Sequence, residues 1–215
     1  MHLVMFDVDG TLVDSTRFDE ECFLKAAEVL FGIEISPDWD SYKYATDIGI
    51  LTEVIDRYKI PGDKSTLIQE FRKIFFELIS DHINCNPGCI FEIRGAAEFI
   101  KELLKKKECR VAIATGGWGE AAKLKLKAAG IDITDCAFAS SSDHYSREGI
   151  MRVAESMAAK SDKFVSKVYF GDAPWDKKAC ENMSYRFILV GNRFEHEISI
   201  QDYSNKNHIF SMLNL

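Results

Sequence analysis

The first fourteen residues, MHLVMFDVDGTLVD, constrain this chain more than any other stretch. The apolar run Leu3 to Phe6 reads as a buried strand and feeds directly into Asp7-Val8-Asp9-Gly10-Thr11. Residues two apart on a strand point to the same face, so the pattern predicts Asp7 and Asp9 side by side at the strand's C-terminal end. Gly10 permits the sharp turn that an open site needs. Two acids at the tip of a buried strand are costly unless a metal or a hydrogen-bond network compensates them. A cation is therefore expected opposite them.

From Thr16 to about Asn84 the pattern is purely helical. Phe18, Cys22, Ala26, Val29 and Leu30 fall at helical spacing, and Ile48, Leu51, Val54, Ile55 and Tyr58 mark a second helix from about Asp47 to Tyr58. A third apolar stripe runs from about Lys64 to Ile83, carried by Leu67, Phe71, Ile74, Phe75, Leu78 and Ile79. These helices read as one inserted unit, residues 17–84, bounded by the turn-rich Asn84–Gly88. Beyond it strands and helices alternate. Strands are expected at Arg110–Thr115, Cys136–Ala139, Lys167–Gly171 and Tyr185–Val190. Helices are expected at Gly95–Lys107, Trp118–Ala129, Ser146 to about Lys160 and Asp176 to about Met183. The last 25 residues are polar and weakly patterned, with a short helix at Asn205–Leu213.

Alternation of this kind predicts an α/β fold with a Rossmann-like parallel core sheet, assembled from residues 1–16 and 85–215. Such sheets bind ligands beyond the carboxyl ends of their strands. The polar residues found there are Asp7 and Asp9, then Thr115, then Asp172. Each follows an apolar strand and precedes a glycine or a turn. This recurrence points to one composite site.

If their strands are neighbours, Asp7, Asp9 and Asp172 converge and need a cation. Oxygen ligands with no histidine in the pattern select Mg2+ over Zn2+. A hard cation beside a carboxylate suits phosphoryl transfer, in which the carboxylate attacks phosphorus and a nearby acid moves the proton. Thr115 and the backbone amides of Gly116 and Gly117 are placed to bind phosphate oxygens at a helix start. Arg147, opening the helix before the Asp172 strand, is the candidate for the cation that stabilises the transferring group.

Composition limits the alternatives. A net charge of -7 argues against non-specific nucleic-acid binding, and a hydrophobic content of 47% suffices for a sizeable core. No segment has the length of a membrane span and no signal peptide is visible, so a cytoplasmic protein is expected. The six cysteines read as buried small hydrophobes of a reducing compartment.

The motifs resemble those of the haloacid dehalogenase superfamily of phosphohydrolases. FDVDGTLVDS resembles its first motif, AIATGG its second, and YFGDAPWD its fourth. The resemblance implies that the inserted helices are a C1-type cap, with Asp7 as nucleophile, Asp9 as acid and base, and Thr115 on the phosphate. It implies Mg2+ held by the Asp7 carboxylate, the Asp9 backbone carbonyl and Asp172, with Asp176 supporting the metal site. The third motif usually supplies a lysine; the matching stretch here is HYSREGIM, so Arg147 takes that place. Asp9 favours a phosphatase or a phosphomutase over the dehalogenases, which lack the second acid.

In the cap, Thr46 and Asp47 either contact substrate or cap the helix they precede. The expected activity is hydrolysis of a small phosphorylated metabolite through an aspartyl-phosphate, by a monomer or homodimer. The rivals are a phosphomutase on the same residues and a non-enzymatic binding module.

Overall fold

The computed structural model describes residues 1–86 and 88–215. In chain order, β1 (His2–Phe6) is followed by β2 (Val13–Asp14) and helix α1 (Thr16–Phe31). A 3-10 turn at Trp39–Ser41 leads to α2 (Asp47–Arg57) and the long α3 (Lys64–Cys85). Next come β3 (Phe91–Glu92), α4 (Ala96–Lys105), β4 (Cys109–Ala114) and α5 (Gly119–Ala128). The chain continues through β5 (Ala137–Ala139), α6 (Arg147–Ala159), β6 (Ser166–Gly171) and α7 (Pro174–Met183). It ends with β7 (Arg186–Val190), β8 (Ser199–Ile200) and α8 (Lys206–Leu213).

Six strands form a parallel sheet in the order β5-β4-β1-β6-β7-β8. Phe6 pairs with Ile113 of β4 on one side and with Phe170 of β6 on the other. The chain moves outward through β4 and β5, then crosses back over β1 to β6. The reversal of direction falls beside β1, where an open α/β sheet leaves a crevice.

Both faces of the sheet are covered, which is why its strands read as continuous apolar runs. Val4 and Phe6 point to a core shared with Phe99 and Ile100 of α4 and Ile209 of α8. Leu3 and Met5 point the other way, to Ile150 and Met151 of α6 and Cys180 of α7. Burying each such side chain contributes about 1.5–3 kcal/mol.

The inserted helices build a third core from Phe23 of α1, Leu51 and Val54 of α2, and Phe71 and Phe75 of α3. The α3 stripe is thus packing surface. Residues of α5 and the turn before it, Trp118 and Ala121, complete this core. Trp118, just before α5, is 1% exposed. Its ring centroid lies 5.4 Å from that of Phe75, 5.8 Å from Phe71 and 6.1 Å from Phe23. The helices form a cap docked on the sheet domain around this indole.

Some details depart from the sequence reading. β2 and β3 pair antiparallel, Val13 with Glu92, and β8 extends the sheet beyond β7. Two-residue strands are too short to carry a period. α7 starts at Pro174 rather than Asp176, because proline suits the first helical position. The boundary expected at Asn84–Gly88 lies partly outside the described residues, which omit Pro87. All six cysteines are free; Cys22, Cys109 and Cys180 are buried, whereas Cys85 is exposed and departs from the buried reading. Among the described residues, no helix is long and apolar enough to cross a membrane.

Candidate active site

Asp7 follows the last residue of β1, and its backbone N–H donates to Phe170 O at 2.9 Å. In sequence it continues the odd-numbered face of β1, the face covered by α6. Arg147 is the first residue of α6, and its Nη1 lies 3.1 Å from Asp7 Oδ1. Both side chains are almost wholly buried, at 9% and 6% exposed. The Arg147 Nη2 also reaches Ala45 O of the cap at 3.4 Å, and its Nε lies 3.4 Å from Asp176 Oδ1.

Asp7 and Asp9 line the same cavity, but Asp9 lies beyond the end of the strand. β1 stops at Phe6, and Val8 to Val13 form a tight turn in which the N–H groups of Thr11, Leu12 and Val13 all donate to Val8 O. The turn gives the Asp9 carboxylate partners of its own. Its Oδ1 accepts from Lys125 Nζ and from Ser15 Oγ, each at 2.5 Å. Lys125, on α5, also pairs with Asp19 of α1. Gly10 is required here twice over. Its φ is +73°, and a Cβ at this position would come within 2.4 Å of Asp172 Oδ2.

The carboxylates that do gather are Asp7, Asp172 and Asp176, each offering an oxygen within 4.8 Å of the others. They stand at the ends of the neighbouring strands β1 and β6 and in the first turn of α7. Asp176 Oδ2 accepts from Ala173 N at 3.3 Å. Asp172 Oδ2 faces Arg193 Nη1 at 3.3 Å, and that guanidinium lies over the Trp175 ring, 4.9 Å from its centroid. Burial, with the neighbouring acids adding to it and Arg147 opposing, pushes the Asp7 carboxyl up to about 7. Burial likewise raises Asp172 and Asp176 to about 6.

Thr115 ends β4 next to Asp7 and is 1% exposed. Its Oγ1 accepts from Gly117 N at 3.2 Å, so that amide is already engaged within the loop. Gly116 O accepts from Asp47 N at 2.8 Å, and Asp47 Oδ2 accepts from Trp118 N at 2.7 Å. Burial, reinforced by Asp19, holds the Asp47 carboxyl well above its usual range. Thr46 caps α2 by accepting from Gly49 N at 3.1 Å while donating to Tyr145 O at 2.6 Å. Thr46 thus caps the helix, and both Thr46 and Asp47 line the cavity above Asp7.

That cavity measures about 100 Å3. Asp7, Thr115, Arg147 and Asp172 form its floor, and cap residues including Phe23, Trp39 and Asp47 form its roof. The sequence reading missed Lys125, Asp19 and Arg193. A signal existed for the first two. Lys125 falls three residues after Ala122 and one before Leu126 on the buried side of α5, and Asp19 falls three before Cys22. Arg193 lies in a loop without period and left no trace.

The triad of acids suits a hard divalent cation. Six oxygens around Mg2+ at about 2.0–2.1 Å lie roughly 3–4 Å apart, a spacing these carboxylates need only small shifts to adopt. All donors are oxygen, the acids are buried, and they repel one another without a cation. A cluster able to coordinate a divalent metal is present.

No curated protein matches the sequence significantly. Solved structures do match the fold along nearly the whole chain. A hydrolase from Pseudomonas syringae superposes with a TM-score of 0.71 at 18% identity, covering 99% of each chain. CbbY from Rhodobacter sphaeroides, in complex with phosphate, gives 0.69 at 16% identity over 95% of this chain and 96% of that one. A β-phosphoglucomutase from Clostridium difficile gives 0.71 at 14% identity over 100% and 97%. The family described as haloacid dehalogenase-like hydrolase matches residues 4–190, a span that holds the whole parallel core through β7, and the chain belongs to that family.

Proposed function

We propose that this protein is a Mg2+-dependent phosphatase that hydrolyses a small phosphorylated metabolite through an aspartyl-phosphate on Asp7. The observation that carries this reading is the juxtaposition of Asp7 with Arg147 on one side and Asp172 and Asp176 on the other, at the floor of a cavity closed by the cap. A likeness in fold to a protein solved with phosphate is in keeping with it.

Asp7 attacks phosphorus, and the ester oxygen leaves. Asp9 gives that oxygen its proton and later takes one from the attacking water. Asp9 lines the cavity from which it reaches the ester oxygen, while Lys125 holds its Oδ1. Arg147 neutralises charge on the transferring group, and Thr115 donates to a phosphate oxygen once its hydroxyl turns inward. Mg2+, held by the Asp7 carboxylate, the Asp9 backbone carbonyl and Asp172, would screen the repulsion between carboxylate and phosphate. Asp176 orients Arg147 and supports the same cluster. The proposed division is a core of residues 1–16 and 85–215 and a cap of residues 17–84. The cap forms the roof of this cavity, so cap residues limit which esters reach Asp7.

The test is phosphate release from a panel of small phosphate esters with Mg2+, with Asp7→Asn as the blank. Wild-type release, with loss of both turnover and phosphoenzyme in Asp7→Asn, is expected. Unchanged hydrolysis by Asp7→Asn would sink the mechanism, and isomerisation of a sugar phosphate without phosphate release would move the reading to a phosphomutase.

A further inference from the structure

The cavity above Asp7 is divided by charge. Its floor holds the two guanidinium groups, Arg147 and Arg193. Its roof is made by three cap segments and carries Asp19 and Glu20 of α1, Trp39 of the 3-10 turn, and Asp47 at the start of α2. Among the described residues, no lysine, arginine or histidine of the cap lines this cavity.

The cation nearest the roof, Lys125, is already committed to one of the roof acids, Asp19. Lys125 lies behind the wall, 1% exposed, between Asp9 and Asp19. Glu20 has an indole for company: Trp39 Nε1 donates to its Oε2 at 2.8 Å. A neutral donor of this kind orients the carboxylate without cancelling its charge. The roof thus offers acceptor oxygens and aromatic surface.

A phosphate ester bound with its phosphoryl group on Arg147 must place the rest of the molecule against this roof. We propose that the group esterified to the phosphate carries hydrogen-bond donors, as hydroxyls or an ammonium, and no second negative charge. This deepens the phosphatase reading and rests on it. A carboxylate or second phosphate there would meet the Glu20 carboxylate, which pairs with no cation among the described residues, and unpaired charge rejects a wrong ligand. Hydroxyls would find acceptors on Glu20 and Asp47, and Trp39 supplies an apolar face for carbon.

The experiment compares three two-carbon monophosphates with one frame and three charges: phosphoglycolate, 2-hydroxyethyl phosphate and phosphoethanolamine. Each is measured as a substrate and as a competitor of p-nitrophenyl phosphate hydrolysis with Mg2+. The expected result is that phosphoglycolate is disfavoured at least about tenfold against both others, in kcat/KM or in inhibition constant. Glu20→Gln narrows that gap. Turnover of p-nitrophenyl phosphate, with phosphoglycolate equal to or better than the other two, overturns this inference and leaves the phosphatase reading standing. No release from any ester overturns both.

Discussion

Lys125 Nζ lies 2.5 Å from Oδ1 of Asp9, and the same ammonium pairs with Asp19. A core helix thereby ties the turn after β1 to the first turn of the cap's leading helix. Burial alone would depress the Lys125 pKa, but Asp19 and Asp9 outweigh it and hold it above the usual lysine range. Among the described residues, this ammonium is the only cation paired with the two acids.

Lys125→Met is therefore expected to destabilise the fold by about 3–5 kcal/mol, because removing one partner leaves buried charge unpaired. Adding Asp19→Asn to that variant removes one of the orphaned acids and should recover part of the loss. Urea unfolding of both variants and of Asp19→Asn closes the cycle. A double variant no more stable than Lys125→Met would show that the pair is not coupled as described.

Arg147 serves three partners with one planar group: Asp7, Asp176 and Ala45 O. Lysine keeps the charge but is a single point on a flexible stem. Arg147→Lys is expected to lower kcat by about 10²–10³ on any ester the enzyme accepts, the range for losing one aimed donor. Steady-state phosphate release reads this directly. An unaltered kcat would remove Arg147 from the transferring group.

The buried acids make stability depend on pH. Burial raises Asp7 to about 7 and Asp172 and Asp176 to about 6, against 3.8 for an ordinary aspartate. Between those values the folded metal-free protein holds protons that the unfolded chain has released. Stability is then greatest below the ordinary value and declines as pH rises through 6 to 7. Chelator-treated protein should melt higher at about pH 5.5 than at about pH 8. Mg2+ should raise Tm more at the higher pH, by about 2.7 kcal/mol of stability at a hundredfold excess over Kd. Differential scanning calorimetry at both pH values checks the order.

Trp118 joins the two halves. Trp118→Ala empties the centre of the cap core beside Phe23, Phe71 and Phe75, and about 3–5 kcal/mol should be lost. It also loosens the docking of the cap, since α5 no longer carries a ring into it. Limited proteolysis should then open cleavage sites in the connection between α1 and α2. An unchanged digestion pattern would mean that the Asp47–Gly116 and Thr46–Tyr145 hydrogen bonds hold the cap without the indole.

The architecture and the identity of the acids are legible along the chain. Apolar runs ending in a polar residue and a glycine marked β1, β4 and β6, and the long helical stretch between β1 and β3 marked the cap. These patterns are local, set by burial on one face or two, so a linear reading captures them. Asp7, Thr115, Arg147 and Asp172 were legible for the same reason: each closes or opens a periodic element. Which acids meet depends on how the elements pack. Asp7 and Asp9 line one cavity, but β1 stops at Phe6 and the turn at Gly10 gives the two carboxylates different partners. Asp176 takes the third place beside Asp7 and Asp172, and Asp9 turns to a lysine 116 residues further along the chain. Direction after a strand ends is set by turn dihedrals and by the partner that awaits the side chain. Both depend on how β1, α5 and α6 pack, and no period along the chain records that.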